Sequence, residues 1–92
     1  MSASSYMRWE RLDEPVKVRA DFHAGVISPL AFRRGGAVVK VTGVNTRWQE
    51  TRGPVRRYHF SVNTEGGGVF QLCFDLADLT WRLEYALTAG EI

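Results

Sequence analysis

Apolar and polar residues alternate with a period of two along several short segments of the chain, which is the pattern of β-strands that bury one face. The alternation is clearest in residues 16–22, 57–63, 70–75 and 81–87. Glu65 and three glycines at positions 66–68 separate the second of these segments from the third. Two alternating segments joined by glycines predict a β-hairpin.

Two further segments are rich in β-forming residues but are interrupted. Residues 26–32 contain Pro29, which cannot donate to a strand ladder and therefore predicts an edge strand or a connecting arm. Residues 37–48 form the longest β-rich run, and Gly43 interrupts its alternation. A bulge at Gly43 would bend this strand and place Trp48 on its inner face. The glycines at 35 and 36 predict a tight turn between the two segments.

Five or six short strands without a long helix predict an all-β fold, a small five- to six-stranded antiparallel barrel. An SH3-like barrel suits the length best, and an OB-like barrel is the second choice. The predicted domain covers residues 15–87. Residues 1–14 are expected to form an N-terminal tail, and residues 88–92 a C-terminal tail, because neither shows sustained periodicity.

The composition excludes several classes of protein. A chain of 92 residues suffices for one domain, and none of its apolar runs approaches the ~20 residues that span a bilayer. The start of the chain carries no secretory signal, so a cytoplasmic location is expected. A single cysteine, Cys73, excludes an internal disulfide and a zinc site built from cysteines alone.

The formal net charge of +2 conceals an uneven distribution of charge. Residues 17–57 hold nine basic residues and two acids, a net charge of +7, whereas the rest of the chain carries a net charge of −5. Ten of the twelve basic residues are arginine, whose planar guanidinium suits phosphate and carboxylate groups. The segment favours an anionic partner, or else its charges are the solvated face of half-buried strands.

The basic segment contains a candidate site for nucleic acid or another anion. Small β-barrels bind single strands through a basic groove with exposed aromatic side chains on which bases stack. Trp48 is the candidate stacking platform, although it would serve equally as a lid on the open end of the core. The arginines are the candidate phosphate contacts, or they pair internally with Glu50 and Glu65. The full set of candidate residues is Arg33, Arg34, Arg47, Trp48, Arg56 and Arg57.

No recognised catalytic or metal-binding motif is present. The glycines at 66–68 lack the Lys-Ser/Thr and the helix that follow a phosphate-binding loop. A histidine beside a carboxylate is the minimum for a general base, and His59 with Asp75 would form such a pair across the predicted hairpin. No nucleophile accompanies it, and no ligand spacing for a metal appears. We therefore expect no catalytic residues, no metal and no cofactor, and a structural role for Cys73.

Several residues together resemble a small bacterial domain family of unknown function. The resemblance covers about residues 15–87 and rests on Pro29 with Phe32-Arg33, Trp48, Tyr58, Asp75 and Trp81. Similar domains occur at the C-terminus of the catalytically inactive, Y-family polymerase-like subunits of DNA-damage mutagenesis cassettes. The resemblance implies no catalytic activity and a role near DNA or a DNA-handling complex.

The sequence therefore predicts a non-catalytic binding module, with single-stranded nucleic acid or a DNA-repair protein as its anionic partner. The alternative is a protein-interaction or self-association domain that offers an exposed strand edge, such as the Pro29 segment, to a partner or to a second copy of itself. Neither hypothesis involves a membrane.

Overall fold

The computed structural model describes residues 5–91, with side chains described from residue 7 to residue 89. Residues 5–91 form seven strands, and no helix able to span a membrane occurs among them. The strands are β1 (Ser5–Pro15), β2 (Val18–His23), β3 (Val26–Arg34), β4 (Ala37–Arg52), β5 (Val55–Thr64), β6 (Val69–Asp75) and β7 (Thr80–Glu91). The prediction of an all-β fold is confirmed.

All seven strands belong to one antiparallel sheet in the order β1-β7-β6-β5-β4-β3-β2. Strands β2 to β7 follow one another as a meander, and β1 pairs with β7. The sheet has two end strands, β1 and β2, so the prediction of a closed barrel is wrong. The predicted count of five or six strands is also too low.

The missing strand in the prediction is β1. Residues 5–14 were expected to lie in an N-terminal tail, yet they form most of β1, while residues 1–4 lie outside the described part of the chain. The side chains of residues 7–11 are all exposed, so neither face of this part of the strand is buried. Without a buried face there is no selection for alternation, and periodicity cannot reveal such a strand. At the other end, residues 88–91 continue β7 instead of forming a tail.

Two residues join the end strands of the sheet. The main-chain N–H of Val16 donates a hydrogen bond of 3.2 Å to the carbonyl oxygen of Trp81 in β7. The next residue, Lys17, accepts a hydrogen bond of 3.0 Å from the main-chain N–H of Arg33 in β3. One connection between β1 and β2 is therefore held by both halves of the sheet.

The core lies on one face of the sheet, here called the inner face. Its most buried side chains are Phe32, Phe60, Val62, Leu72, Phe74 and Leu83. The sheet curls around them, because aromatic side chains meet across strands that are not neighbours. Phe22 of β2 contacts Phe74 of β6, with ring centroids 6.2 Å apart, and Phe32 of β3 contacts Phe70 of β6 at 5.3 Å.

Strand β4 contains two irregularities, and they decide which side chains face the core. The pairing with β5 shifts between Val41 and Gly43, as predicted, and shifts again between Val44 and Thr46. Each inserted residue reverses the alternation of faces beyond it. After the second shift Arg47 pairs with the buried Phe60 on the inner face, and Trp48 pairs with His59 on the opposite, outer face. The prediction that Trp48 lies on the inner face is therefore wrong.

Candidate functional site

A compact block of basic side chains lies on the outer face of β2, β3 and β4. Directly paired residues of antiparallel strands present their side chains on the same face. Arg19 pairs with Ala31, and Ala31 pairs with Lys40, which gives one row across three strands. Two residues away, Arg33 pairs with Val38 and bonds through its N–H to Lys17, which gives a second row. This basic face consists of Lys17, Arg19, Arg33 and Lys40, with Ala31 and Val38.

The alternation of apolar residues explains why these charges share one side. Val18 pairs with Phe32, and Phe32 with Val39, so the row between the two basic rows points to the core. Burial of Phe32, which is 1 % exposed, fixes the orientation of all three strands. Their basic residues are consequently turned to solvent, because a one-residue slip would expose the apolar row.

The basic face surrounds a shallow cleft of about 310 Å³. Its floor includes Ala31, and its walls include Lys17, Arg19, Arg33 and Val38. Within residues 7–89, no carboxylate forms an ion pair with any of the four bases. Their charges are thus available to a ligand.

The predicted arginine site does not converge. Arg33 belongs to the basic face, but its neighbour Arg34 points to the other side of β3, where it lies 5.6 Å above the ring of Phe70 and 3.7 Å from Glu14. Arg56 pairs with Thr51 near the far end of β4. Thirteen residues of β4 separate the partners of Arg33 and Arg56, or about 40 Å along an extended strand.

Two other predicted arginines serve contacts within the protein. Arg47 donates from Nη1 to the carbonyl oxygen of Ile27 at 2.9 Å, and its guanidinium lies 5.8 Å above the ring of Phe60. It thereby fixes the first half of β3, where residues 26–30 have no partner in β4. Arg57 lies 3.1 Å from Asp75, and 3.7 Å from Glu50. The hydrogen bond to Asp75 raises the pKa of Arg57.

Trp48 covers a buried histidine on the outer face. Its ring stacks on the imidazole of His59, with centroids 5.2 Å apart and planes only 10° from parallel. The indole keeps 39 % of its surface exposed, whereas His59 keeps 7 %. Trp48 therefore neither closes the core nor joins the basic face.

His59 lies between two carboxylates, neither of which is the predicted Asp75. Its Nδ1 atom is 2.8 Å from Oε1 of Glu84, and its Nε2 atom is 3.1 Å from Oε1 of Glu50. The hydrogen bond with His59 lowers the pKa of Glu50, with a smaller contribution from Arg57. Gln71 donates to the same oxygen of Glu84 at 3.0 Å.

A bulge in β7 directs Glu84 toward His59. Leu83 pairs with Leu72, and Tyr85 pairs with Gln71, so Glu84 is an extra residue without a partner in β6. Bulges re-aim a side chain in this way and are common beside functional sites. Cys73 pairs with His59 across β5 and β6, and only 3 % of it is exposed. Burial raises the pKa of its thiol to about 12.

The sequence contained signals for both groups that were not used. Lys17, Arg19 and Lys40 belong to the basic segment, and their parity with Arg33 becomes visible only when the strands are placed in register. Glu84 was assigned to an alternating strand, and nothing in its neighbours reveals the bulge that turns it. Contacts between strands far apart in sequence depend on register, which the pattern of one strand does not specify.

Comparison with known proteins gives no relative for this chain: no family model, curated protein or solved structure matches it.

Proposed function

We propose that this protein is a non-catalytic binding module that docks an anionic partner on its basic face, and that the partner is single-stranded nucleic acid. The observation that carries the proposal is the block of four unpaired cations in two adjacent rows of β2, β3 and β4. Neighbouring strands are about 4.8 Å apart and alternate residues about 6.6 Å apart, so the cations form an array of about 7 by 10 Å. A flexible single strand can bring successive phosphates to such an array.

The composition of the basic face favours contacts to phosphate over contacts to bases. Its two uncharged members, Ala31 and Val38, have no ring on which a base could stack. Stacking on aromatic side chains contributes about 1–3 kcal/mol per base in proteins that use it. Binding here would therefore be electrostatic, independent of sequence and strongly dependent on salt.

Fluorescence anisotropy of a labelled oligo-deoxythymidine, titrated with the full chain at several salt concentrations, tests the proposal. Four neutralised phosphates give a log–log slope of affinity against salt of about −2.8 for a single strand. Absence of binding at low salt, or binding that salt does not weaken, would contradict it. Tighter binding of a polyglutamate peptide than of the oligonucleotide would instead identify an acidic protein as the partner.

A matched pair of double variants locates the site. Replacement of Lys17 and Arg33 by glutamine removes two cations from the basic face and should reduce the slope to about −1.4. Replacement of Arg8 and Arg56 by glutamine removes the same charge from exposed positions elsewhere and should leave the slope near −2.8. Equal losses in both variants would show that only net charge matters and would exclude a defined face.

A strand edge supports the second candidate function, association with a protein or with a second copy of the chain. Among the described strands β2 pairs only with β3, and Phe22 at this edge is 62 % exposed. Pro29 lies beside a bulge of the interior strand β3, so the available edge is β2 and not the Pro29 segment. Light scattering at increasing protein concentration tests self-association, and a strict monomer would contradict it.

The proposal retains three finer predictions from the sequence: an SH3-like architecture, a relationship to the bacterial domain family found beside polymerase-like subunits, and a cytoplasmic location. Each stays a prediction. A module that holds single-stranded nucleic acid without a preference for sequence would suit a DNA-handling complex, which is the role that the resemblance implies.

A further inference from the structure

Three donor atoms of different chemistry converge on the outer face, away from the basic face. His59, Cys73 and Glu84 lie on the neighbouring strands β5, β6 and β7. One ring nitrogen, the thiol sulfur and one carboxylate oxygen all lie within 4.8 Å of one another. The sequence gave no ligand spacing for a metal, because these residues meet only through strand register and through the bulge at Glu84.

The hydrogen bonds of His59 require a cation at this place. Each of its two ring nitrogens faces a carboxylate oxygen, at 2.8 Å and 3.1 Å. A carboxylate only accepts, and a neutral imidazole has a single N–H to donate. One nitrogen therefore needs a second proton or a metal ion. The Nδ1 atom is the one on the side of Glu84, which belongs to the cluster with Cys73.

The surroundings already resemble the outer shell of a metal site. Metal-ligating histidines usually donate their second ring N–H to a carboxylate, and Glu50 occupies that position at Nε2. Ligating carboxylates are themselves hydrogen-bonded, as Glu84 is by Gln71. The stacked indole of Trp48 fixes the plane of the imidazole and limits the access of solvent.

We propose that His59, Cys73 and Glu84 bind a divalent transition-metal ion of the zinc type. A nitrogen, a sulfur and an oxygen donor together suit Zn²⁺, which is usually four-coordinate, and a water molecule would complete the set. The thiolate and the carboxylate balance the charge of the ion. On binding, the S–H bond of Cys73 breaks, the sulfur–metal bond forms, and the proton passes to solvent.

Titration of the untagged full chain with Co²⁺, followed by Zn²⁺, tests the site. We expect one Co²⁺ per chain, with a near-ultraviolet sulfur-to-cobalt charge-transfer band and the strong visible bands of low-symmetry coordination, both abolished by Zn²⁺. Because the buried thiol loses a proton, affinity should rise about tenfold per pH unit for each proton released. Failure of the wild-type chain to bind Co²⁺, or binding without the charge-transfer band, would overturn the proposal.

Variants separate the ligands from their support. Cys73→Ser should abolish the charge-transfer band, and Glu84→Gln should weaken binding, with circular dichroism of each variant confirming the fold. Glu50→Gln should weaken binding about 10- to 100-fold but keep the band, as expected of a residue that positions His59. His23→Gln alters the other histidine of the chain, on β2, and should change nothing. Loss of the signal in His23→Gln, or its retention in Cys73→Ser, would contradict the assignment.

Discussion

A single carboxylate, that of Asp13, fastens the first strand of the protein to the last. Oδ1 of Asp13 accepts a hydrogen bond of 2.8 Å from Nε of Arg82, and the main-chain oxygen of Asp13 accepts another from Nη2 of the same guanidinium. Asp13 lies where the pairing between β1 and β7 shifts and has a φ of 46°. The side chain thus holds β1 at the point where its regular ladder is interrupted.

The contact should make stability depend on pH. The hydrogen bond from Arg82, followed by one from Arg11, lowers the pKa of Asp13 in the folded protein. A carboxyl whose pKa is lower in the folded state stabilises it above the unfolded pKa, about 3.9, and this contribution is lost as the pH falls through the folded pKa. We expect Asp13→Asn to lower the free energy of unfolding at pH 7, and the difference from wild type to vanish in acid.

Urea denaturation at a series of pH values measures this difference. Asparagine tolerates a positive φ, so the substitution tests the charge and not the backbone. Asp21→Asn, at an exposed position of β2, is the control and should follow the wild-type curve at every pH. A difference between Asp13→Asn and wild type that persists below the folded pKa would contradict the prediction.

At the scale of residues the sequence predicted facing better than it predicted contacts. The alternation around Phe32 correctly implied that Arg33 faces solvent, because the burial of one apolar side chain fixes its neighbours. Trp48 was assigned to the wrong face because nothing in the letters between Val44 and Thr46 marks a bulge. The partners of His59 also could not be predicted, since Glu84 reaches it from another strand only through a bulge.

The turns are the elements in which local sequence matters most, and two of them form a natural comparison. The turn between β3 and β4 has glycine at both positions with positive φ, Gly35 at 58° and Gly36 at 79°. The turn between β2 and β3 has Ala24 at 50° and Gly25 at 78°. Alanine in the left-handed region costs about 1 kcal/mol, whereas asparagine and glycine adopt it readily.

Exchanging these residues should change stability in opposite directions. Ala24→Asn creates the Asn-Gly pair preferred in two-residue hairpin turns and should raise the free energy of unfolding by about 1 kcal/mol. Gly36→Ala should lower it by about the same amount. Gly66→Ala is the control, because Gly66 lacks a positive φ and has free space around a Cβ atom. Chemical denaturation measures all three, and a loss of stability in Ala24→Asn would contradict the explanation.

At the scale of elements, strands with one buried face could be predicted and strands without one could not. The hairpin of β5 and β6 is confirmed, because both strands bury alternate residues and glycines mark the turn between them. Strand β1 was missed because its pairing with β7 comes from main-chain hydrogen bonds, which leave no pattern in the exposed side chains of residues 7–11.

At the scale of the whole molecule, the short connection between β1 and β2 joins strands at opposite ends of the sheet order. Val16 bonds to β7 and Lys17 to β3, so the connection cannot separate from either half without breaking a main-chain hydrogen bond. Partial unfolding of one end should therefore be coupled to the other. Regions that open only with the whole protein show the slowest amide exchange.

Hydrogen exchange followed by NMR tests this coupling. The amides of Val16 and Arg33 should exchange about as slowly as that of the fully buried Leu72. The amide of Thr80, which donates to the side chain of Asp78 in an exposed turn, should exchange much faster and serves as the reference for local opening. Fast exchange at Val16 with slow exchange at Leu72 would show that the end strands open independently.

The charge distribution is also a property of the whole molecule. The sequence shows a basic segment, but folding divides it. Lys17, Arg19, Arg33 and Lys40 remain together on one face, while Arg34, Arg47 and Arg57 are engaged by a carboxylate, a carbonyl or an aromatic ring. Net charge along a chain cannot distinguish these two fates, because both depend on which strands become neighbours.

The second irregularity of β4 gives unusual weight to the length of the coding sequence at this point. Loss of the codon for Asn45 would restore unbroken alternation and exchange the faces of everything that follows in the strand. The indole would leave His59 and enter the core, and the guanidinium of Arg47 would turn to solvent and release β3. A substitution at position 45 changes one side chain, whereas a deletion there would rebuild two surfaces at once. Relatives of this protein should therefore differ here by replacement and keep the number of residues constant.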